Sequence, residues 1–309
     1  MRKLYTTLVL LTFAISSQAQ DEKQAFTTLS DSPHVAATAD SLSKHRRHTY
    51  LEATLDYQSN SVYMGRKDSA ILPYFTPGLG FYHKSGFYAT ASAAWLKNAG
   101  DSRIDLVTIG AGFRFSAGKY EGDFTASKYF YNAQSTSVTS AIRGSLSYFS
   151  SYDLGWIRTT LTGLLNWGTN TDMEASLDIE HSFDFMDNAL EITPTLSANA
   201  GTLNYYSNYY KTRRFNRKNT KKAVSGTVTI TGTVVNPSAF TILDYEASLP
   251  ISYIAGKFTF SATPAFSIPV NPARINLQYV YSTGATALRQ HVEKIEDTFY
   301  WTLGASYRF

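Results

Sequence analysis

Two residues have the types and spacing of a hydrolytic pair. His83 and Ser85 stand two apart in Tyr82-His83-Lys84-Ser85-Gly86, so on an extended backbone they share one side. A histidine that takes the proton of a serine hydroxyl makes it a nucleophile toward an ester. Ser and Gly at this place are equally what a tight turn demands. His45 and His48 are three apart, but no carboxylate or third imidazole has the spacing to complete a metal site, so they read as part of a solvated basic segment. There is no Gly-rich phosphate loop and no nucleotide fingerprint. The sequence therefore implies no cofactor and favours a non-enzyme.

The charged residues say more. From Tyr50 onward apolar and polar residues alternate, and the polar face carries acids at Glu52, Asp56, Glu121, Asp123, Glu174, Asp178, Glu180, Glu191, Asp244 and Glu246. The bases on that face are Arg114, Arg143, Arg158 and Arg308. If the face lines a lumen, ten acids against four bases favour passage of cations. The plainer role is cross-strand pairing, and Arg114 falls roughly opposite Glu121 across a short turn. A second charged group follows the pairs Tyr205-Tyr206 and Tyr209-Tyr210: Lys211, Arg213, Arg214, Arg217, Lys218, Lys221 and Lys222. These cations can hold lipopolysaccharide phosphates, fold into an acidic lumen as a plug, or simply stay solvated.

The elements that must position these residues are strands. Residues 1–19 read as a signal peptide: Arg2 and Lys3, a short apolar core, then Ser17-Gln18-Ala19. That core is too short to span a bilayer, which takes about 20 residues. Residues 20–49 read as a flexible periplasmic lead-in. Residues 50–309 give about twelve alternating segments: 50–58, 72–83, 86–96, 103–115, 120–131, 139–149, 153–167, 173–183, 190–203, 240–254, 257–268 and 299–309. Their connections are short at 84–86, 116–119, 150–152, 184–189 and 255–256, and most of the others are long. Aromatic residues flank both sets of connections. The expected fold is all-β: a transmembrane, antiparallel up-and-down barrel with short periplasmic turns and long extracellular loops. A count of fourteen is the rival, because 224–234 and 275–281 also alternate. With twelve, those two segments project as extracellular extensions of strands. The chain has no cysteine, so closure and packing must hold the sheet. Its net charge of +4 lacks the strong basic field that nucleic-acid binding requires.

Three resemblances follow. The last segment alternates Trp301, Leu303, Ala305, Tyr307 and Phe309 with polar or small residues and ends on Phe309. It resembles the C-terminal signal of bacterial outer-membrane proteins, which implies outer-membrane localisation and the barrel-assembly machinery as a partner. Ser59-Asn60-Ser61-Val62-Tyr63-Met64-Gly65 resembles the opening of small putative porins, and Leu249-Pro250-Ile251-Ser252-Tyr253 and Ile268-Pro269-Val270-Asn271-Pro272 are similar to segments of uncharacterised barrels. None of these implies an activity. His83-Lys84-Ser85 resembles the pair of outer-membrane phospholipase A and lipid A deacylase, but no Asn follows Ser85, and Asn98, near the spacing of the orienting residue, lies in a loop. The sequence thus points to a porin-like passive channel for small solutes with an acidic lumen. The alternatives are a closed barrel that binds a surface ligand or lipopolysaccharide and, behind it, a lipid hydrolase.

Overall fold

Strict two-residue alternation gives each strand one apolar and one polar face, and a sheet with such faces is satisfied by closing on itself in lipid. The computed structural model describes residues 48–67, 71–98, 101–209, 228–281 and 284–309. Its strands begin with β1 (Tyr50–Gln58), the short pair β2 (Val62–Tyr63) and β3 (Arg66–Lys67), β4 (Tyr74–Tyr82), β5 (Phe87–Asn98), β6 (Asp101–Ala117) and β7 (Tyr120–Tyr131). They continue with β8 (Ile142–Asp153), β9 (Arg158–Gly168), β10 (Thr171–Glu180), β11 (Phe183–Phe185), β12 (Leu190–Ile192) and β13 (Thr195–Gly201). After the helix α1 (Asn204–Tyr209) come β14 (Val228–Val234), β15 (Thr241–Ser248), β16 (Ile251–Ala255), β17 (Phe258–Pro269), β18 (Arg274–Tyr281), β19 (Thr286–Val292) and β20 (Thr298–Arg308).

Sequential neighbours pair antiparallel around the wall, β17 pairs with β20, and β20 pairs with β1. The result is a closed antiparallel barrel of twelve strands. Three walls are each two strands in line: β10 with β11, β12 with β13, and β15 with β16. Prolines mark two of these breaks, where Pro194 and Pro250 have no N–H to give and only accept, from His181 at 3.3 Å and Thr193 at 2.8 Å.

The outer face is apolar and exposed: Leu55, Leu79, Ile109, Leu146, Leu161 and Leu303 are all about half accessible. Ser, Thr, Asn and acidic side chains are buried within. That is the reverse of a water-soluble protein and fits hydrocarbon outside. Rings pack against each other at both ends of the apolar band. Phe87 and Phe113 lie 4.7 Å apart near the short turns, and Tyr57 and Trp301 lie 5.1 Å apart near the long loops. Leu161→Arg or Ala91→Arg should cost about 2–4 kcal/mol if the site lies near the bilayer midplane. Reversible unfolding from lipid vesicles measures this, and stability within error of wild type would argue against lipid on that face.

Three sequence readings are corrected. The turn expected at 150–152 lies at residues 154–157, closed by Leu154 N–H to Ile157 O at 2.9 Å. Ser151 is polar because it is a buried inward residue, whereas Gly155, at φ +99°, makes the bend. The Ala117–Tyr120 turn pairs Ser116 with Glu121, so Arg114 stands opposite Asp123 rather than Glu121. The segments at 228–234 and 275–281 do not extend barrel strands. They pair with each other, and with β19, in a separate three-stranded sheet. Residues 1–47, which include the expected leader and most of the lead-in, lie outside the described residues.

Candidate functional site

The long-loop mouth of the barrel is filled by chain. After β1 the backbone turns inward and forms the β2–β3 hairpin, with Met64 at φ +47° and Gly65 at φ +71°. A Cβ on Gly65 would stand 2.7 Å from Pro269 Cβ and 2.9 Å from Asp244 Cβ, so glycine meets both a conformational and a steric demand there. Tyr63, fully buried, donates its hydroxyl hydrogen to Glu174 of β10. Asn166 Nδ2 donates to the same Glu174 Oε1 at 2.8 Å and to the Tyr63 hydroxyl at 3.1 Å. Arg66 is 2% exposed. Its guanidinium donates to the backbone carbonyls of Met64 (2.9 Å), Leu243 (3.1 Å), Val270 (3.4 Å) and Asn271 (3.0 Å), and lies 3.8 Å from Glu293. Hydrogen bonds to a charged donor are roughly twice as strong as neutral ones, so this clamp outweighs an ordinary loop contact.

An apolar cluster seals the space around the hairpin. Tyr63 packs with Tyr129, Val138, Leu203, Tyr205, Leu243 and Ile275, contributed by opposite walls, α1 and the outer sheet. The Tyr63 and Tyr205 rings meet edge to face at 5.1 Å. Two carboxylates fix the rim. Asp172 accepts from Thr202 Oγ1 (2.7 Å), Asn204 N (2.7 Å) and Tyr205 N (2.9 Å), which pins the start of α1 over the mouth. Asp105 accepts from Tyr74 (2.7 Å), Ser135 (2.7 Å) and Arg103 (2.9 Å). Burial, reinforced by the Glu174 charge, holds the Tyr63 hydroxyl well above the ordinary tyrosine range; the Tyr205 hydroxyl is raised mainly by burial. Both rings therefore stay neutral at physiological pH.

Beneath the plug the interior is polar. Glu52 accepts from Arg308 at 3.1 Å, Asp123 from Arg114 at 3.2 Å and from Tyr88 at 2.7 Å, and Glu180 lies 3.6 Å from Arg158. Asp178 accepts from Ser176 (3.0 Å), Asp244 from Ser267 (2.7 Å), Glu246 from Tyr300 (2.7 Å) and Glu191 from Thr193 (3.3 Å). Asp56 and Glu121 are half-buried. Asp56, Glu174, Asp178, Glu191, Asp244 and Glu246 carry no ion pair among the described residues. Glu174 Oε2, Asp244 Oδ1 and the hydroxyls of Ser252, Thr263 and Thr302 are buried without a protein hydrogen-bond partner.

The remaining site candidates scatter. Arg143 is exposed, because the register shifts between Ile142 and Gly144 and alternation does not carry across it. Lys211, Arg213, Arg214, Arg217, Lys218, Lys221 and Lys222 lie outside the described residues. Phe309 is 66% exposed, with its N–H on Leu51 O at 3.0 Å. His83 Nδ1 and Ser85 Oγ are 2.7 Å apart, but Ser85 N–H also donates to that Nδ1 at 3.3 Å. This is a turn closing on itself, and in a catalytic triad the serine faces Nε2 while Nδ1 faces the orienting acid. Sequence reasoning missed Tyr63, Arg66, Asn166, Asp105, Asp172 and Glu293. The one local signal was Val62-Tyr63-Met64, an apolar run in an otherwise polar loop.

No protein-family model matches the chain, and no curated protein does. Solved structures do. An anion-selective porin from Comamonas acidovorans is 9% identical, covering 84% of this chain and 98% of its own, with a TM-score of 0.31. The outer-membrane channel DcaP of Acinetobacter baumannii is 10% identical over 85% of this chain and 96% of its own, with a TM-score of 0.31. A bacterial polysaccharide outer-membrane secretin is 10% identical over 86% and 100%, with a TM-score of 0.38. These likenesses carry no inference about mechanism or solute.

Proposed function

We propose that the chain is a bacterial outer-membrane channel for small solutes, cation-preferring, and closed at rest by its own first long loop. The observation that carries this is the polar interior, where Asp56, Asp178, Glu191 and Glu246, away from the plug's seat, lack an ion pair among the described residues and several buried oxygens lack a protein partner. A barrel that was merely structural would gain nothing from enclosed acids that have hydrogen-bond donors but no counter-charge, which are costly unless hydrated or paired with mobile cations. Water satisfies the orphan oxygens, and a hydrated acidic column favours cations. The short turns then face the periplasm, and residues 1–19 serve export. The charge of Lys211 to Lys222, outside the described residues, suits lipopolysaccharide phosphate as a partner. The second reading is a permanently closed barrel, favoured by the apolar cluster across the mouth.

Planar-bilayer recording across a salt gradient separates the two. Conduction with a reversal potential of cation sign, rare in the intact chain and frequent once the plug is removed, supports the channel. Silence in both forms leaves the closed barrel. Assembly has its own test. Deleting Phe309 should reduce insertion into the outer membrane far more than removing one residue from Asp21 to His48, measured by the heat-dependent gel shift of folded barrel in membrane fractions. Equal insertion of the two variants would remove the role given to the last residue.

A further inference from the structure

The hairpin is held by a cage of oxygens around the Arg66 guanidinium. Four backbone oxygens, of Met64, Leu243, Val270 and Asn271, surround the guanidinium, and the Glu293 carboxylate stands 3.8 Å away. The cage is rigid for reasons independent of Arg66. Val270 N–H donates to Leu243 O at 2.8 Å, Asn271 Nδ2 donates to Ile242 O at 2.8 Å, and Glu293 accepts from Ala273 N at 2.9 Å. Leu243 is the extra residue of a register shift between Asn199 and Ala200, and that shift turns two consecutive side chains, Leu243 and Asp244, inward. One of the cage oxygens, Met64 O, belongs to the plug, and the other three belong to the wall and its outer loop. A planar cation with donors in several directions therefore bridges plug to wall, which a round, strongly hydrated ammonium does less well.

We propose that this cage is a binding site for guanidinium groups, occupied at rest by Arg66, and that its occupancy decides whether the plug stays seated. The site takes free guanidinium compounds and the arginine side chains of peptides, and it rests on the reading of the chain as a plugged channel. In the intact chain the tethered Arg66 outcompetes dilute free ligand through its high effective concentration. Emptied by Arg66→Ala, the cage should accept the missing group from solution.

The experiment records single channels of four forms: the intact chain, Arg66→Ala, Arg66→Lys, and a chain whose residues 61–67 are replaced by a Gly-Ser linker. The probe is millimolar methylguanidinium chloride, with sodium chloride at equal ionic strength as control. Arg66→Ala should raise open probability by at least about tenfold, and methylguanidinium should reverse most of that rise. Arg66→Lys should be intermediate and respond weakly. The intact and linker forms should not respond. Heat-dependent gel shift and circular dichroism check that each form is a folded barrel. Should Arg66→Ala misfold, Glu293→Gln, which leaves the carbonyls in place, should still raise open probability. Block of the linker form as strong as that of Arg66→Ala would mean the probe acts in the acidic lumen and would overturn the proposal. So would open Arg66→Ala channels that the probe leaves unchanged, or a silent Arg66→Ala beside a conducting linker form. If the linker form itself is silent, it is the channel reading that fails.

Discussion

Replacing residues 61–67 by a short Gly-Ser linker should convert a nearly silent barrel into a conducting one, with mean conductance up by about a hundredfold or more. The replacement removes the Arg66 clamp, the Tyr63 bond to Glu174 and the ring that fills the apolar cluster. Losing the partners of one buried charge typically costs about 3–5 kcal/mol. About 3 kcal/mol is already more than a hundredfold in a two-state population. Single changes should fall in order. Gly65→Val should approach the linker form, since its Cβ meets Pro269 and Asp244 below 3.0 Å. Tyr63→Phe keeps the ring and loses the hydrogen bonds to Glu174 and from Asn166, worth about 1 kcal/mol each or about thirtyfold together. Planar-bilayer conductance reads all three. Equal conductance across the series would show that the hairpin does not close the path.

In the linker background, neutralising Asp178, Asp244 and Glu246 together should move the reversal potential from cation sign to near zero. The three lie on β10 and β15, which flank β13 in the sheet. None has an ion pair among the described residues, so each leaves its charge for a passing ion. Asn and Gln keep size and hydrogen bonding, which holds pore width nearly constant. Glu296→Gln is the control, because that carboxylate is exposed and bonded to Lys294 at 2.6 Å. A reversal potential unchanged in the triple variant would place selectivity elsewhere in the lumen.

The barrel was legible because its rule is local. Alternation repeats within each strand, and turns announce themselves through Gly86 or the Gly118-Lys119 pair. Legibility failed where an extra residue breaks the period. Asp105, Arg143 and Leu243 each sit at a register shift, and parity does not carry through them. The polar pair Ser150-Ser151 was mistaken for a turn because a serine reads alike in a bend and on a wet inner wall. The plug was illegible for a different reason. Its seat is assembled from Glu174, Leu243, Val270, Asn271 and Glu293, none of them near residues 59–67 in sequence. No short pattern reports a partner so far along the chain. The basic segment shows seven cations within twelve residues, whereas the hairpin that fills the mouth shows only Arg66 and Lys67.

The seat of Arg66 also dictates an order of events during biogenesis. The hairpin is made early in the chain, yet the carbonyls that receive it lie 177, 204 and 205 residues downstream. Contacts of such span form late, after most of the chain has found its neighbours. Until β15, β17 and the loop to β18 are in place, the hairpin has nowhere to dock. An unfinished barrel is thus an unsealed one, and the moment the last strands zip is the moment the hole shuts.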